Sequence, residues 1–238
     1  KDNEIKFNPY LEKLDLFKNQ IAKVPSSIQN LPNLKTLKFN YNNISEIAPE
    51  ISQLKKLENL SLYRNQLKTI PNGVYQIKSL KEIDLYYNEL ETLDENVINW
   101  QHLEILYLAF NKVLTLSNNL GELKDLRELY LHNNRLSTVP ENISKLEKLN
   151  VLRINNNNLL YVPPLISKLT NLENLDISRN EIQSLPVDFF NFQHLKILTL
   201  VANPWDSSTK EILTEKAKEL RSKEVIVHLN SFDEAVDN

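Results

Sequence analysis

The sequence has no cysteine, no methionine and only two glycines, Gly73 and Gly121. Without thiols there is no disulfide framework, no thiolate metal site and no cysteine nucleophile. Two isolated glycines cannot write a phosphate-cradling loop of the P-loop or dinucleotide type. No apolar run approaches the ~18–20 residues of a membrane-spanning helix, so no membrane insertion is expected. Neither sign of charge is in excess: 28 Lys and Arg against 31 Asp and Glu leave a net charge of −3. That balance argues against a dedicated nucleic-acid or anionic-membrane binder. With Lys1 first, the chain reads as a processed or trimmed product, through a removed secretory signal or a boundary cut within a longer protein.

What the sequence does have is a repeat. Asn recurs at 19, 42, 65, 88, 111, 134, 157, 180 and 203, always 23 residues apart. Each Asn closes a segment of the form L-x-x-L-x-L-x-x-N, from LEKLDLFKN at Leu11 to LKILTLVAN at Leu195. Apolar residues then follow at regular offsets. They are Ile21, Val24, Ile28 and Leu31 in the first unit, and Leu136, Val139, Ile143 and Leu146 in the sixth. A proline follows the second of these at Pro25, Pro71, Pro140, Pro163 and Pro186. Pro49 comes one place late, and Asp94 and Ser117 stand in units four and five.

Each feature has a physical reading. Alternation in L-x-L makes a short strand with its leucines on one face. Proline, with fixed φ and no N–H, opens a tight return segment. The later apolar pair suits a short helical or 3₁₀ turn on the same core. A single unit cannot bury its apolar face, so stability must come from stacking. The recurring Asn is expected to be buried and to bond the backbone of its own and adjacent turns.

These motifs resemble leucine-rich-repeat proteins of the 23-residue type, over Leu11 to Trp205. Intracellular Ras-group members and exported bacterial members, spirochaete ones included, are similar in repeat length. The disulfide-capped animal class and the plant pattern with Gly before Ile-Pro are not matched. The resemblance implies an α/β solenoid: a curved horseshoe with a parallel concave sheet and short helical or 3₁₀ turns on the convex side. It also implies protein binding; a secreted or cell-surface bacterial location, with the cytoplasm as the alternative, and no cofactor are expected. A monomer is expected.

Three parts are expected: residues 1–10 as an N-terminal cap, partial repeat or cut edge; 11–205 as nine repeats; 206–238 as a C-terminal cap and tail. In the last part Ser207, Ser208 and Thr209 offer N-cap side chains to a helix over Lys210–Ser222. Val225–Val227 reads as a final strand, Trp205 as core, and the acidic tail from Ser231 as frayed.

Catalytic signatures are poor, and the chain is read as a non-enzyme with no metal site. His102 and His194 occupy equivalent turns four units apart, too far for a shared metal. Three glycosylation sequons, at Asn43, Asn59 and Asn142, matter only in a glycosylating pathway. The outward strand positions are more informative. Six of the nine tyrosines lie there: Tyr41, Tyr63, Tyr86, Tyr87, Tyr107 and Tyr130. Arg64, Phe110 and His132 join them. Core building does not require rings at these places, whereas Tyr and Arg are favoured at interface hot spots. The candidate site is therefore this set of nine, taking a protein partner. Three alternatives stay open: a glycan, targeting of a larger enzyme or effector, or rings that only pair across strands and stiffen the sheet.

Overall fold

The computed structural model describes residues 4–229. All nine L-x-x-L-x-L segments form three-residue strands, from Lys13–Asp15 in unit one to Ile197–Thr199 in unit nine. They pair in parallel, each with the next, and a tenth strand, Ile226–His228, closes the series. The register never slips: Leu14 lies against Leu37, Leu106 against Leu129, and Leu175 against Leu198. Because the middle residue of every strand points inward, its two neighbours face out, as the period of two requires.

Between strands the chain returns through 3₁₀ turns such as Ser26–Asn30 and Glu141–Lys145. Prolines stand immediately before the turn in several units. In units four and five, which lack it, the Asp94 and Ser117 side chains accept from the N–H of Asn96 and Asn119 (2.8 and 3.1 Å). A polar cap thus replaces a fixed φ at the same place. Unit three has instead a short α-helix, Asn72–Tyr75. Gly73 there presses on unit two, where a Cβ would meet the Pro49 carbonyl oxygen at 2.8 Å. Gly121 is held closer still to the Asn142 backbone carbonyl. Turns that carry side chains pack less closely than hydrogen-bonded strands ~4.8 Å apart, so the sheet takes the inner, concave side.

One apolar core runs from Val24 to Val227. The Asn column lines it: Asn42, Asn65, Asn88, Asn111, Asn134, Asn157 and Asn180 are all buried. Asn111 is representative. Its Nδ2 donates to the carbonyls of Leu85, Leu108 and Ala109, and its Oδ1 accepts from the Leu90 N–H (3.0 Å). Each amide therefore ties its own unit to the one before. At the edge, Asn19 is exposed and, among the described residues, keeps only the bonds to Leu16 and Phe17.

The ends differ. The C-terminal helix spans Ser207–Arg221, starting three residues earlier than the sequence suggests. Its N-cap is Asp206, whose carboxylate accepts from the Thr209 N–H (2.7 Å), so Ser207–Thr209 lie inside the first turn. A carboxylate suits the positive helix end better than the hydroxyls do. Leu213, Ala217 and Leu220 of this helix are buried, and so is Trp205, which donates to the Leu200 carbonyl. At the other end residues 4–10 lie along the first return segment. The Asn8 N–H bonds the Asn30 carbonyl, and Asn30 donates to that of Ile5. This cover is thin: Leu11, Leu14, Leu16 and Ile21 remain half-buried and Phe7 is 68% exposed. The tail from Ser231 lies outside the described residues.

Candidate functional site

Four rows of outward side chains cross the concave sheet, one residue per unit in each. Two rows come from the strands. Glu82, Ile105 and Glu128 belong to the first, and Asp84, Tyr107, Tyr130 and Arg153 to the second. A third row, two residues further on, holds Phe17, Asn40, Tyr63, Tyr86, His132 and Asn155. The fourth lies just before the buried Asn column. In all nine units it adopts a left-handed backbone: φ is 58° at Tyr41, 53° at Arg64, Tyr87 and Phe110, and 51° at Asn156.

All nine residues singled out in the sequence come together across these rows. The rings form one continuous chain. It runs from Phe17 to Tyr41 (5.2 Å), Tyr63 (5.2 Å), Tyr87 (5.5 Å) and Phe110, which stacks on Tyr87 at 4.2 Å and 12°. From Phe110 it continues to His132 (5.4 Å) and Tyr86 (6.3 Å). Tyr86 meets Tyr107 edge-on at 5.3 Å, and Tyr107 stacks on Tyr130 at 4.9 Å. The Arg64 guanidinium sits over Tyr41 and Tyr87, 5.1 and 4.9 Å from their centroids. Phe17 and Arg153, the latter 5.9 Å from the Tyr130 ring, extend the chain beyond the sequence-read set.

The sequence reading missed the first row altogether, although strand alternation carried the signal: if the middle residue faces in, both neighbours face out. That row supplies Glu82 and Glu128. Burial raises the Glu82 carboxyl above its usual range, and the nearby Asp84 charge adds to this, while Lys38 opposes it. Burial also raises Asp84, against the stabilising bonds it accepts from the Tyr86 N–H and the Ser61 hydroxyl. Tyr107 is raised by burial and then by Glu82, Glu128 and Asp84. Tyr130 donates to Glu128 at 2.7 Å. His132 is pushed down to about 4, chiefly by burial and secondarily by Arg153. Its Nδ1 has no hydrogen-bond partner among the described residues; nor do Asn40 Oδ1 and Asn155 Oδ1 in the same row. Toward unit one a hollow of about 390 Å³ is lined by Lys13, Lys38, Asn59, Ser61 and Glu82 among others.

His102 pairs with Asp125 at 3.5 Å, on the surface and away from these rows. Among the described residues no three His, Asp or Glu side chains gather as a metal site. Nor is any helix there long and apolar enough to cross a membrane.

A leucine-rich repeat region model matches residues 91–236, and a leucine rich repeat model matches residues 9–67. No curated protein matches the chain. Solved structures do. The PEPR1–AtPEP1 structure is 28% identical with a TM-score of 0.74, over 91% of this chain and 31% of that one. A TLR13–ssRNA13 complex is 30% identical with a TM-score of 0.72, over 82% and 30%. Internalin C2 of Listeria monocytogenes is 24% identical with a TM-score of 0.68, over 78% and 80%, and shares the fold. The chain thus spans about a third of the PEPR1 and TLR13 chains it matches.

Proposed function

The chain belongs to the leucine-rich-repeat family, and from that premise we propose that it is a non-catalytic module that binds a partner protein through the aromatic concave face of units two to six. The observation that carries this reading is the ring chain itself. Its members lie outside the core, and several stand where the backbone disfavours them. A bulky residue in the left-handed region costs roughly 1–2 kcal/mol, and Tyr41, Arg64, Tyr87 and Phe110 all bear it. Ring stacking offsets part of that cost, at ~0.5–1.5 kcal/mol per pair. Cross-strand stiffening alone accounts for one or two such pairs, less well for a patch spanning five units.

Two similar structures pair a repeat protein of this shape with another molecule, AtPEP1 in one and ssRNA13 in the other. The carboxylates of Glu82, Asp84 and Glu128 favour the first kind of partner, because they repel phosphates. A glycan is the second reading, since rings beside Asn155 and Asp84 also suit a sugar. A secreted or cell-surface location belongs to the same proposal, and fractionation of the source cells tests it.

The test is the triple variant Y86A/Y107A/Y130A. These half-buried residues should leave the melting transition cooperative and close to that of the parent. Affinity for a captured partner should fall by ~2 kcal/mol or more per hot-spot residue. A variant that melts early yet binds as well per folded molecule makes the tyrosines structural. Binding on a glycan array with no protein captured moves the assignment to the second reading.

A further inference from the structure

The carboxylates of this protein fall into two populations. Along the outer border of the sheet, Glu12, Glu58, Glu104 and Glu173 each meet a cation one unit on: Lys35 (3.0 Å), Lys81 (3.2 Å), Arg127 (3.4 Å) and Lys196 (2.8 Å). Within the aromatic face the pattern stops. Asp84 and Glu128 accept hydrogen bonds and the Glu82 charge acts on Tyr107, but none of the three has an ion-pair partner among the described residues. A half-buried carboxylate without an ion pair carries a desolvation cost that the nearby Lys38 offsets only in part and that a partner can relieve.

Their placement defines a seat. Strand register sets Glu82 and Glu128 on either side of Ile105, two strand steps apart, or ~10 Å along the sheet. Ile105 is half-buried and apolar, a floor between two acids. Asp84 and Tyr130 flank Tyr107 in the same way one row on, and Tyr107 feels all three carboxylates. Lys38 and Arg153 border the seat, and among the described residues neither forms an ion pair with its acids. The face also holds a cation of its own, the Arg64 guanidinium between Tyr41 and Tyr87.

We propose that this seat takes a basic side chain, lysine or arginine, of the partner protein, with its aliphatic stem on Ile105 and the Tyr107 ring and its charge between Glu82 and Glu128. Long basic side chains combine an apolar stem with a charged head, and this is the arrangement the seat complements. A ring face adds cation–π attraction. The proposal rests on the concave face being the binding surface and names the chemistry of what it binds.

The experiment is selection of a random 12-residue peptide display library on the intact protein, with counter-tests on three variants. E82Q/E128Q removes the charges and keeps the shape. E58Q/E104Q removes two paired border acids as a charge-matched control. Y86A/Y107A/Y130A removes the rings, and each variant is first shown to melt cooperatively. The expected result is enrichment of Lys or Arg at one peptide position, with affinity falling roughly tenfold or more in E82Q/E128Q and little in E58Q/E104Q. Peptides that need the rings but show no basic preference, or bind E82Q/E128Q undiminished, overturn the seat and leave the binding face standing. Selected peptides indifferent to the rings overturn both.

Discussion

Units two to five and units six and seven carry different side chains on the same backbone. At the position before the buried Asn, φ is 53–58° in Tyr41, Arg64, Tyr87 and Phe110, and 51–54° in Asn133 and Asn156. Asn tolerates this left-handed conformation through its short polar side chain; Tyr, Arg and Phe do not. The fold is therefore satisfied by the cheaper residue in units six and seven, while Lys18, Arg179 and Ala202 take the same conformation in the outer units. In units two to five the bulky residues hold one another instead: Arg64 lies between Tyr41 and Tyr87, and Tyr87 stacks on Phe110. The contrast separates what the solenoid needs, an outward residue that accepts positive φ, from what this face adds.

The largest effect should appear where the two regions are alike. Asn111 and Asn180 make the same set of bonds, one beneath the rings and one beyond them. Replacing either by Ala leaves buried carbonyls and one N–H unpaired, at about 3 kcal/mol. Asn19→Ala at the exposed edge should cost under ~1 kcal/mol, since water replaces the amide there. Urea melts of the three variants check this. A much smaller loss at Asn180 than at Asn111 would mean that the rings, not the amides, hold the middle units.

The ladder was legible in the sequence because a buried amide every 23 residues leaves little room for another role. The strands and the gathering of the nine site residues were legible for the same reason: fixed period converts sequence position into place on a face. What escaped notice was of another kind. Left-handed φ at Tyr41 or Phe110 contradicts the preference of those residues, so local propensity pointed away from it. The Asp206 cap was displaced onto the serines and threonine that follow, although a carboxylate just before a helix is as strong a signal. Glu82, Ile105 and Glu128 were passed over because outward positions were counted only after the central leucine. The pairing of border acids, against the unpaired acids of the face, depends on side-chain reach that no spacing rule contains.

A smaller effect should appear on exchanging the left-handed residues between the regions. Asn156→Tyr places a ring where no ring waits, and should destabilise by about 1 kcal/mol. Tyr87→Asn relieves the backbone but forfeits the Phe110 stack and the Arg64 contact, so its net effect on stability should lie within ~0.5 kcal/mol. Partner affinity should fall in Tyr87→Asn and hold in Asn156→Tyr. Thermal melts with binding isotherms give both readings. If Tyr87→Asn is as destabilising as a core truncation, the ring chain is part of the scaffold in units two to five, no less than the Asn column.

The smallest effect concerns His132, whose counterpart one unit on is Asn155. The imidazole is held neutral, with its pKa pushed from 6.5 down to about 4 by burial and then by Arg153; Tyr86, Phe110 and Tyr130 pack around it. Between those two values the unfolded chain binds a proton that the folded chain refuses. Stability contributed by the neutral ring is thus complete above pH 6.5 and is lost as pH falls toward 4. Glu82 and Asp84 act in the opposite sense: their raised carboxyls take up protons earlier in the folded state, so acid relieves a cost there. Comparing the parent with His132→Asn cancels the carboxylate contribution. The parent should lose about 1 kcal/mol more than the variant from pH 7 to pH 4, a figure reduced from the full shift because the ring is partly exposed and screened. Urea midpoints at pH 4, 5, 6 and 7 for both proteins decide it, and parallel curves would show that His132 titrates as freely as a surface histidine.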